Sequence, residues 1–168
     1  MLKQGHSSSR RCVTIQLATQ TLNLSEDEHV LRTYLVSTAK NGAGEQVNSY
    51  CTPRGHHIIR AKIGAACPLG TVFVGRRPTG EIWTPALSHT HPGRDWILSR
   101  ILWLRGCEPG KNRWGPVDTM QRYIYIHGAP EDVPMGSPTS QGCIRMRNDE
   151  ISELFDLIAV GTPVRIHE

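Results

Sequence analysis

Two residue types able to do covalent chemistry stand close together late in the chain. His127 closes the run Y-I-Y-I-H-G, and Cys143 lies in S-Q-G-C-I-R-M after a loop rich in Pro and Gly. A thiol attacks a carbonyl only as thiolate, and near pH 7 a free cysteine is mostly protonated. An imidazole that takes the proton corrects this, and neighbouring cations depress the thiol pKa further. His127 is therefore the expected base, returning its proton to a leaving amine. No acid is adjacent to it in sequence, so the carbonyl of Gly128 is the expected group that fixes its tautomer. Gly142 lacks a Cβ, which lets the backbone approach a substrate, and the N–H groups of Gly142 and Cys143 are the expected oxyanion cradle. Arg145 offers a fork matched to a carboxylate.

These side chains need a scaffold that brings them to one wall. Strand periodicity of two puts Tyr123, Tyr125 and His127 on one face and Ile124 and Ile126 on the other. The same counting pairs Cys143 with Arg145, and Ile144 with Met146. At ~3.3 Å per strand residue, Arg145 begins only ~7 Å from the thiol's backbone. The bland alternative, a cysteine buried as a small hydrophobe, suits the other cysteines better than Cys143, which Gly142 and Arg145 flank in a turn.

With these residues in place, the run H-G followed by S-Q-G-C-I-R-M closely resembles the L,D-transpeptidase (YkuD) catalytic domain. V-S-T-A near Val36, T-P-R-G near Thr52, D-T-M-Q-R-Y-I-Y-I-H-G and the final G-T-P-V-R-I extend the resemblance from Val13 to Ile166. It implies a mainly β fold, the family's β-sandwich, with one helix in the C-terminal region. It also implies a substrate, the stem peptide of bacterial peptidoglycan, attacked at the L-centre of its diamino acid through a thioester on Cys143. Release of the following D-alanine to water is L,D-carboxypeptidation; transfer to an amine of a second stem gives a 3–3 cross-link. Arg145, Ser140 and Gln141 are then expected to contact substrate, with Tyr125 and Trp114 shaping the groove, and carbapenem-type compounds are expected to acylate the thiol. One departure stands out: Gln141 occupies the place where the family usually carries a second histidine, so Cys143 relies on His127 alone. An inactive member that only binds wall fragments is the alternative this departure suggests.

With 168 residues and 38% apolar content the chain suits one domain, expected over 11–168 behind a polar tail, 1–10. A net charge of +4, from 19 basic and 15 acidic residues spread along the chain, shows no basic stripe for nucleic acid. The longest apolar run, Ile101 to Leu104, is far too short to cross a bilayer. Met1 to Arg11 has no apolar core of the kind a secretory signal needs. Five scattered cysteines fit a reduced compartment. The expectation is a cytoplasmic L,D-carboxypeptidase of muropeptide recycling, with an exported transpeptidase as the alternative. No cofactor is expected. Cys51, His56, His57 and Cys67 fit no ordinary zinc spacing, and His89 and His91 read as surface histidines.

Along the chain, strands are expected at Arg11–Thr19, Leu31–Ala39, His56–Lys62, Gly70–Arg76, Ile97–Arg105 and Thr162–His167. Asn23 to Glu28 reads as a loop or one helical turn, and Pro78 to Asp95 as loop. Gly106 to Thr119 reads as a long connection able to rim a pocket. A helix is expected after Asn148 or Asp149 as cap, with Glu150 and Glu153 in its first turn, the stripe Ile151, Leu154, Phe155 and Ile158, and Gly161 as its stop.

Overall fold

The long apolar run after residue 96 becomes the centre of the molecule. A computed structural model describes residues 10–168, in which Ile97–Gly106 forms the ten-residue strand β7; strands are numbered here in chain order. Leu102 and Leu104 of this strand point into one core, and Ile101 into a second cluster with Phe73 and Tyr125. A strand covered on both faces needs this near-continuous apolarity.

Before it come β1 (Arg11–Gln16), β2 (Thr21–Glu26), β3 (His29–Leu35), β4 (Gly55–Ile63), β5 (Thr71–Val74), β6 (Arg77–Ile82) and the short helix α1 (Pro85–Thr90). After it come a 3-10 turn (Gly115–Val117), β8 (Tyr125–Gly128), β9 (Ile144–Met146), α2 (Asn148–Leu157) and β10 (Pro163–His167). The ten strands of the described residues join one hydrogen-bonded sheet, ordered β3-β2-β1-β10-β4-β7-β5-β6, from which β8 branches off β7 and β9 off β8. The chain after β3 then meets β9: the Ser37 and Arg145 amides and carbonyls exchange two bonds of 2.9 Å. The route β3-β2-β1-β10-β4-β7-β8-β9 thereby returns to its own start and wraps the main core, into which α2 sends Ile151, Leu154 and Phe155.

Several expectations change here. Asn23–Glu28 is not a turn: Thr21–Glu26 is β2, because Leu22 and Leu24 alternate inward and are fully buried. Burying two leucines at about 1.5–3 kcal/mol each outweighs the polar signals between them. The strand expected over Leu31–Ala39 stops at Leu35, and its remainder makes isolated bridges to Arg145 and Ser140. Pro78–Asp95 holds β6, paired with β5 at the sheet's edge, and a second helix. Thr84 caps that helix by accepting from the Leu87 N–H (3.1 Å), with Pro85 at its first position.

At α2 the cap is Arg147, whose side chain makes no capping bond. Asn148 instead reaches across to accept from Ser99 Oγ (2.6 Å) and donate to the Ala129 carbonyl (3.0 Å). Asp149 and Glu150 occupy the first turn. Glu153 lies a turn further on, accepting from Tyr34 Oη (2.5 Å) and Arg32 Nε (3.2 Å). Among the described residues no helix is long and apolar enough to cross a membrane.

Candidate active site

Parallel pairing of β8 with β9 sets the site. Ile126 pairs with Ile144 and His127 with Arg145, so Cys143, one residue before β9, lies beside Tyr125 on the face that carries His127. The apolar backs, Ile124, Ile126, Ile144 and Met146, are buried in the main core. The strand begins at Tyr125 rather than Tyr123, which has φ +57° and stands exposed at the cleft wall.

His127 is almost fully buried, and its Nδ1 lies 2.7 Å from the Gly128 carbonyl oxygen. A carbonyl only accepts, so Nδ1 carries the proton and Nε2 is left as the base. The Cys143 sulfur accepts from the Tyr125 N–H at 3.3 Å and lies 3.4 Å from the Tyr123 carbonyl. Both residues line one open cleft of about 370 Å³, walled by Tyr50, Arg76, Asp95, Arg122, Tyr123 and Gln141.

The electrostatics differ from the expectation of a thiol depressed by cations. Burial pushes the Cys143 thiol up to about 12; the Tyr125 N–H, Arg145 and Arg122 pull it down, and the Asp95 carboxylate pushes it up again. Burial likewise lowers His127, against the raising effects of Asp95 and the Gly128 carbonyl, while Arg145 adds to the lowering. Desolvation of a charge by burial outweighs the nearby guanidiniums. The resting pair is neutral thiol and neutral imidazole.

Two side chains, Thr52 and Ser140, brace the turn carrying the thiol. Thr52, fully buried, donates from Oγ1 to the Gly142 carbonyl (2.9 Å) and accepts from the Ala39 N–H (3.0 Å). Ser140 Oγ donates to the Cys143 carbonyl (2.5 Å) and accepts from the Gly142 N–H (3.2 Å). Ser140 thus shapes the turn as well as lining the cleft, and the Gly142 amide is partly committed. Gly142 itself has φ +129°, and a Cβ there would meet Ile124 Cδ1 at 3.1 Å and the Cys51 carbonyl oxygen at 3.2 Å.

Of the other sequence-derived residues, Arg145, Gln141 and Tyr125 line the cleft. Trp114 does not: it is exposed on the connection after β7, stacked against Arg113, its backbone N–H tied to Asp118 Oδ2 (2.7 Å). Arg145 is already engaged, Nη2 donating to Asp95 Oδ1 (2.9 Å) and Nη1 to Thr139 O and Oγ1 (3.3 Å each). Sequence reasoning missed Arg76, Asp95 and Arg122. Only Arg122 had a signal, being next to the histidine strand in Q-R-Y-I-Y-I-H. Among the described residues no cluster of His, Cys, Asp or Glu has metal-holding geometry.

A self-closing β-sheet that presents a cysteine and a tautomer-locked histidine in one cleft defines the class. Residues 10–166 match the model of the L,D-transpeptidase catalytic domain, YkuD, and the chain belongs to that family. It is 35% identical over 133 residues to a probable L,D-transpeptidase ErfK/SrfK of Salmonella typhimurium, covering 72% of this chain and 41% of that protein. A putative L,D-transpeptidase of Fuscovulum blasticum is 32% identical, over 58% of this chain and 49% of the relative. The chain thus spans less than half of these relatives. Among solved structures, an L,D-transpeptidase from Mycobacterium smegmatis superposes with a TM-score of 0.61 at 22% identity, covering 95% of this chain and 59% of that one. L,D-transpeptidase 3 from Mycobacterium tuberculosis, in complex with a faropenem-derived adduct, gives 0.57 at 17% identity, covering 95% and 61%. At such identities these likenesses concern the fold.

Proposed function

We propose that this protein cleaves peptidoglycan stem peptides through a thioester on Cys143, releasing the D-alanine that follows the diamino acid. The observation that carries the reading is His127 and Cys143 lining one cleft, with the imidazole's Nδ1 held by the Gly128 carbonyl and Nε2 left as base. In the first half-reaction His127 takes the thiol proton as sulfur attacks the carbonyl. The Cys143 N–H, with the partly committed Gly142 N–H, supports the oxyanion. The imidazolium then protonates the departing amine, and the acyl group stays on sulfur.

Water is the first acceptor on this reading, making the protein an L,D-carboxypeptidase that trims tetrapeptide to tripeptide. Among the described residues His127 is the one imidazole lining the cleft, and exposed Gln141 supplies no second base. A single base suffices for water, whereas an amine acceptor arrives as ammonium at neutral pH and must also shed its first proton. The cysteines are free thiols, which suits the reducing cytoplasm and a role in muropeptide recycling. Transfer to a second stem, giving a 3–3 cross-link, is the competing outcome of the same thioester. Carbapenem-type compounds are expected to acylate Cys143, since L,D-transpeptidases of similar fold form complexes with imipenem and with a faropenem-derived adduct.

The test is incubation with defined tetrapeptide. D-Alanine and tripeptide are expected, with loss of both in Cys143→Ala and retention in Cys107→Ala. Cross-linked dimer as the main product would reverse the order of acceptors, and no turnover by the intact protein would leave a binding member of the family.

A further inference from the structure

Three guanidiniums line the cleft, and they differ in how much of their donor capacity is spent. Arg145 is tied to Asp95 and Thr139. Arg122 is a strut: Nη2 donates to the Cys51 carbonyl (2.7 Å) and Ser49 Oγ (3.3 Å), and Nη1 to the carbonyls of Gly44 (3.3 Å) and Glu45 (3.1 Å).

Arg76 is different. It sits at the turn between β5 and β6 with φ +64°, half-buried, its guanidinium 4.7 Å from the Trp103 ring centroid and 4.9 Å from that of Tyr123. Among the described residues it makes one hydrogen bond, from Nη1 to Tyr125 Oη (3.0 Å). A guanidinium carries five N–H donors in a fixed fork, so most of this fork is unspent. Among the described residues no carboxylate lies within ion-pair distance of it. Two aromatic rings and a phenol hold the group in place, so little ordering remains to be done when an anion arrives. Tyr125 also gives its backbone N–H to the Cys143 sulfur, which puts the open fork one residue away from the thiol.

We propose that Arg76, rather than Arg145, receives a carboxylate of the substrate, so that the cleft selects peptides bearing an anion on the β5–β6 side of Cys143. The substrate role rests on the acyl-transfer reading above. The carboxylate has two sources in such a peptide, the side chain of the diamino acid or the terminus of the residue released.

Four peptides separate them: diaminopimelate or lysine at the diamino position, each with a terminal acid or a terminal amide. Arg76→Gln is expected to raise KM on the order of tenfold, with kcat little changed, only for peptides that carry the bound carboxylate. Arg76→Lys is expected to recover part of the loss. The pair whose difference disappears in Arg76→Gln names the source. A second measurement does not depend on peptide turnover: the ratio of Cys143 alkylation by iodoacetate to that by iodoacetamide at pH 9.5. Because it is a ratio within one protein, a general loss of reactivity or stability cancels. Arg76→Gln is expected to lower it severalfold, and Arg113→Gln, outside the cleft, to leave it unchanged.

If no peptide is turned over but the ratio falls, the acyl-transfer reading fails and the anion berth stands. If peptides are turned over and their KM values do not respond to Arg76→Gln, the substrate role is overturned. An unchanged ratio as well removes the berth itself.

Discussion

The Thr52 hydroxyl donates to the Gly142 carbonyl at 2.9 Å, joining a buried segment after β3 to the turn that presents the thiol. The same hydroxyl accepts from the Ala39 N–H at 3.0 Å, so one side chain satisfies two backbone groups from different parts of the chain. Thr52→Val keeps the shape and strands both groups in a site without solvent. The expected cost is about 1–3 kcal/mol, seen as a lower denaturation midpoint. Turnover is expected to fall more than stability does, because the freed carbonyl belongs to the residue before the nucleophile. A variant as stable and as active as the parent would remove Thr52 from the support of the site.

A neutral resting pair has a kinetic signature. With the thiol pushed up to about 12, alkylation of Cys143 by iodoacetamide is expected to be slow near pH 7 and to climb steadily across pH 8–11. Substrate turnover uses His127 as base during attack, so it needs only the neutral imidazole. Since burial holds His127 below its ordinary 6.5, turnover is expected to persist to mildly acid pH and to fall only as the imidazole protonates below that value. An alkylation rate already on a plateau at pH 7 would mean a preformed thiolate–imidazolium pair instead.

The parts of this site legible in sequence are those set by strand geometry. Tyr125, His127, Cys143 and Arg145 fall on one face because side chains alternate along β8 and β9, and four buried apolar residues force that register. Arg76 and Asp95 were not legible: they sit on a hairpin turn and a connecting segment, where a charged residue reads as solvated surface until the fold brings it to a cleft. Trp114 failed for the converse reason. It is large, and its place before the histidine strand suggested a rim, yet it stands exposed, its backbone N–H tied to Asp118. The burial that decides both pKa shifts is likewise a property of packing, whereas neighbouring cations could be counted in the sequence. The strand β2 was hidden because Asn23 and Ser25 sit on its outer face, masking the alternation of Leu22 and Leu24.

A second buried histidine links stability to pH. His57 in β4 is buried, with Nδ1 3.1 Å from the Gly55 carbonyl and Nε2 3.0 Å from Thr119 Oγ1. Burial takes its pKa from 6.5 to about 4. Between those values the unfolded chain binds the proton and the folded one does not, so stability falls as pH falls. The contribution present above pH 6.5 and lost by pH 4 is about 3 kcal/mol. Thermal melts of the parent and His57→Gln at pH 7 and pH 4.5 check this. The parent is expected to lose more of its midpoint on acidification than the variant, and equal losses would place the acid sensitivity elsewhere.

Gly128 tests whether the imidazole's orientation depends on its backbone neighbour. A Cβ at this position would lie 2.6 Å from the Leu98 carbonyl oxygen and also against Asn148 Oδ1. The Asn148 side chain can move, but Leu98 belongs to β7, where it pairs with Gly128 across the ladder. Gly128→Ala therefore has to shift backbone, and overpacking of this kind costs about 1–3 kcal/mol. The shift moves the carbonyl that holds His127 Nδ1 at 2.7 Å, freeing the imidazole to adopt the other tautomer. Turnover is expected to drop at least tenfold in a protein that remains folded by circular dichroism. Adding Asn148→Ser to Gly128→Ala removes the movable obstacle only, so the double variant is expected to stay as inactive as the single one. Recovery of activity in the double variant would place the constraint in the Asn148 side chain and not in the β7–β8 ladder.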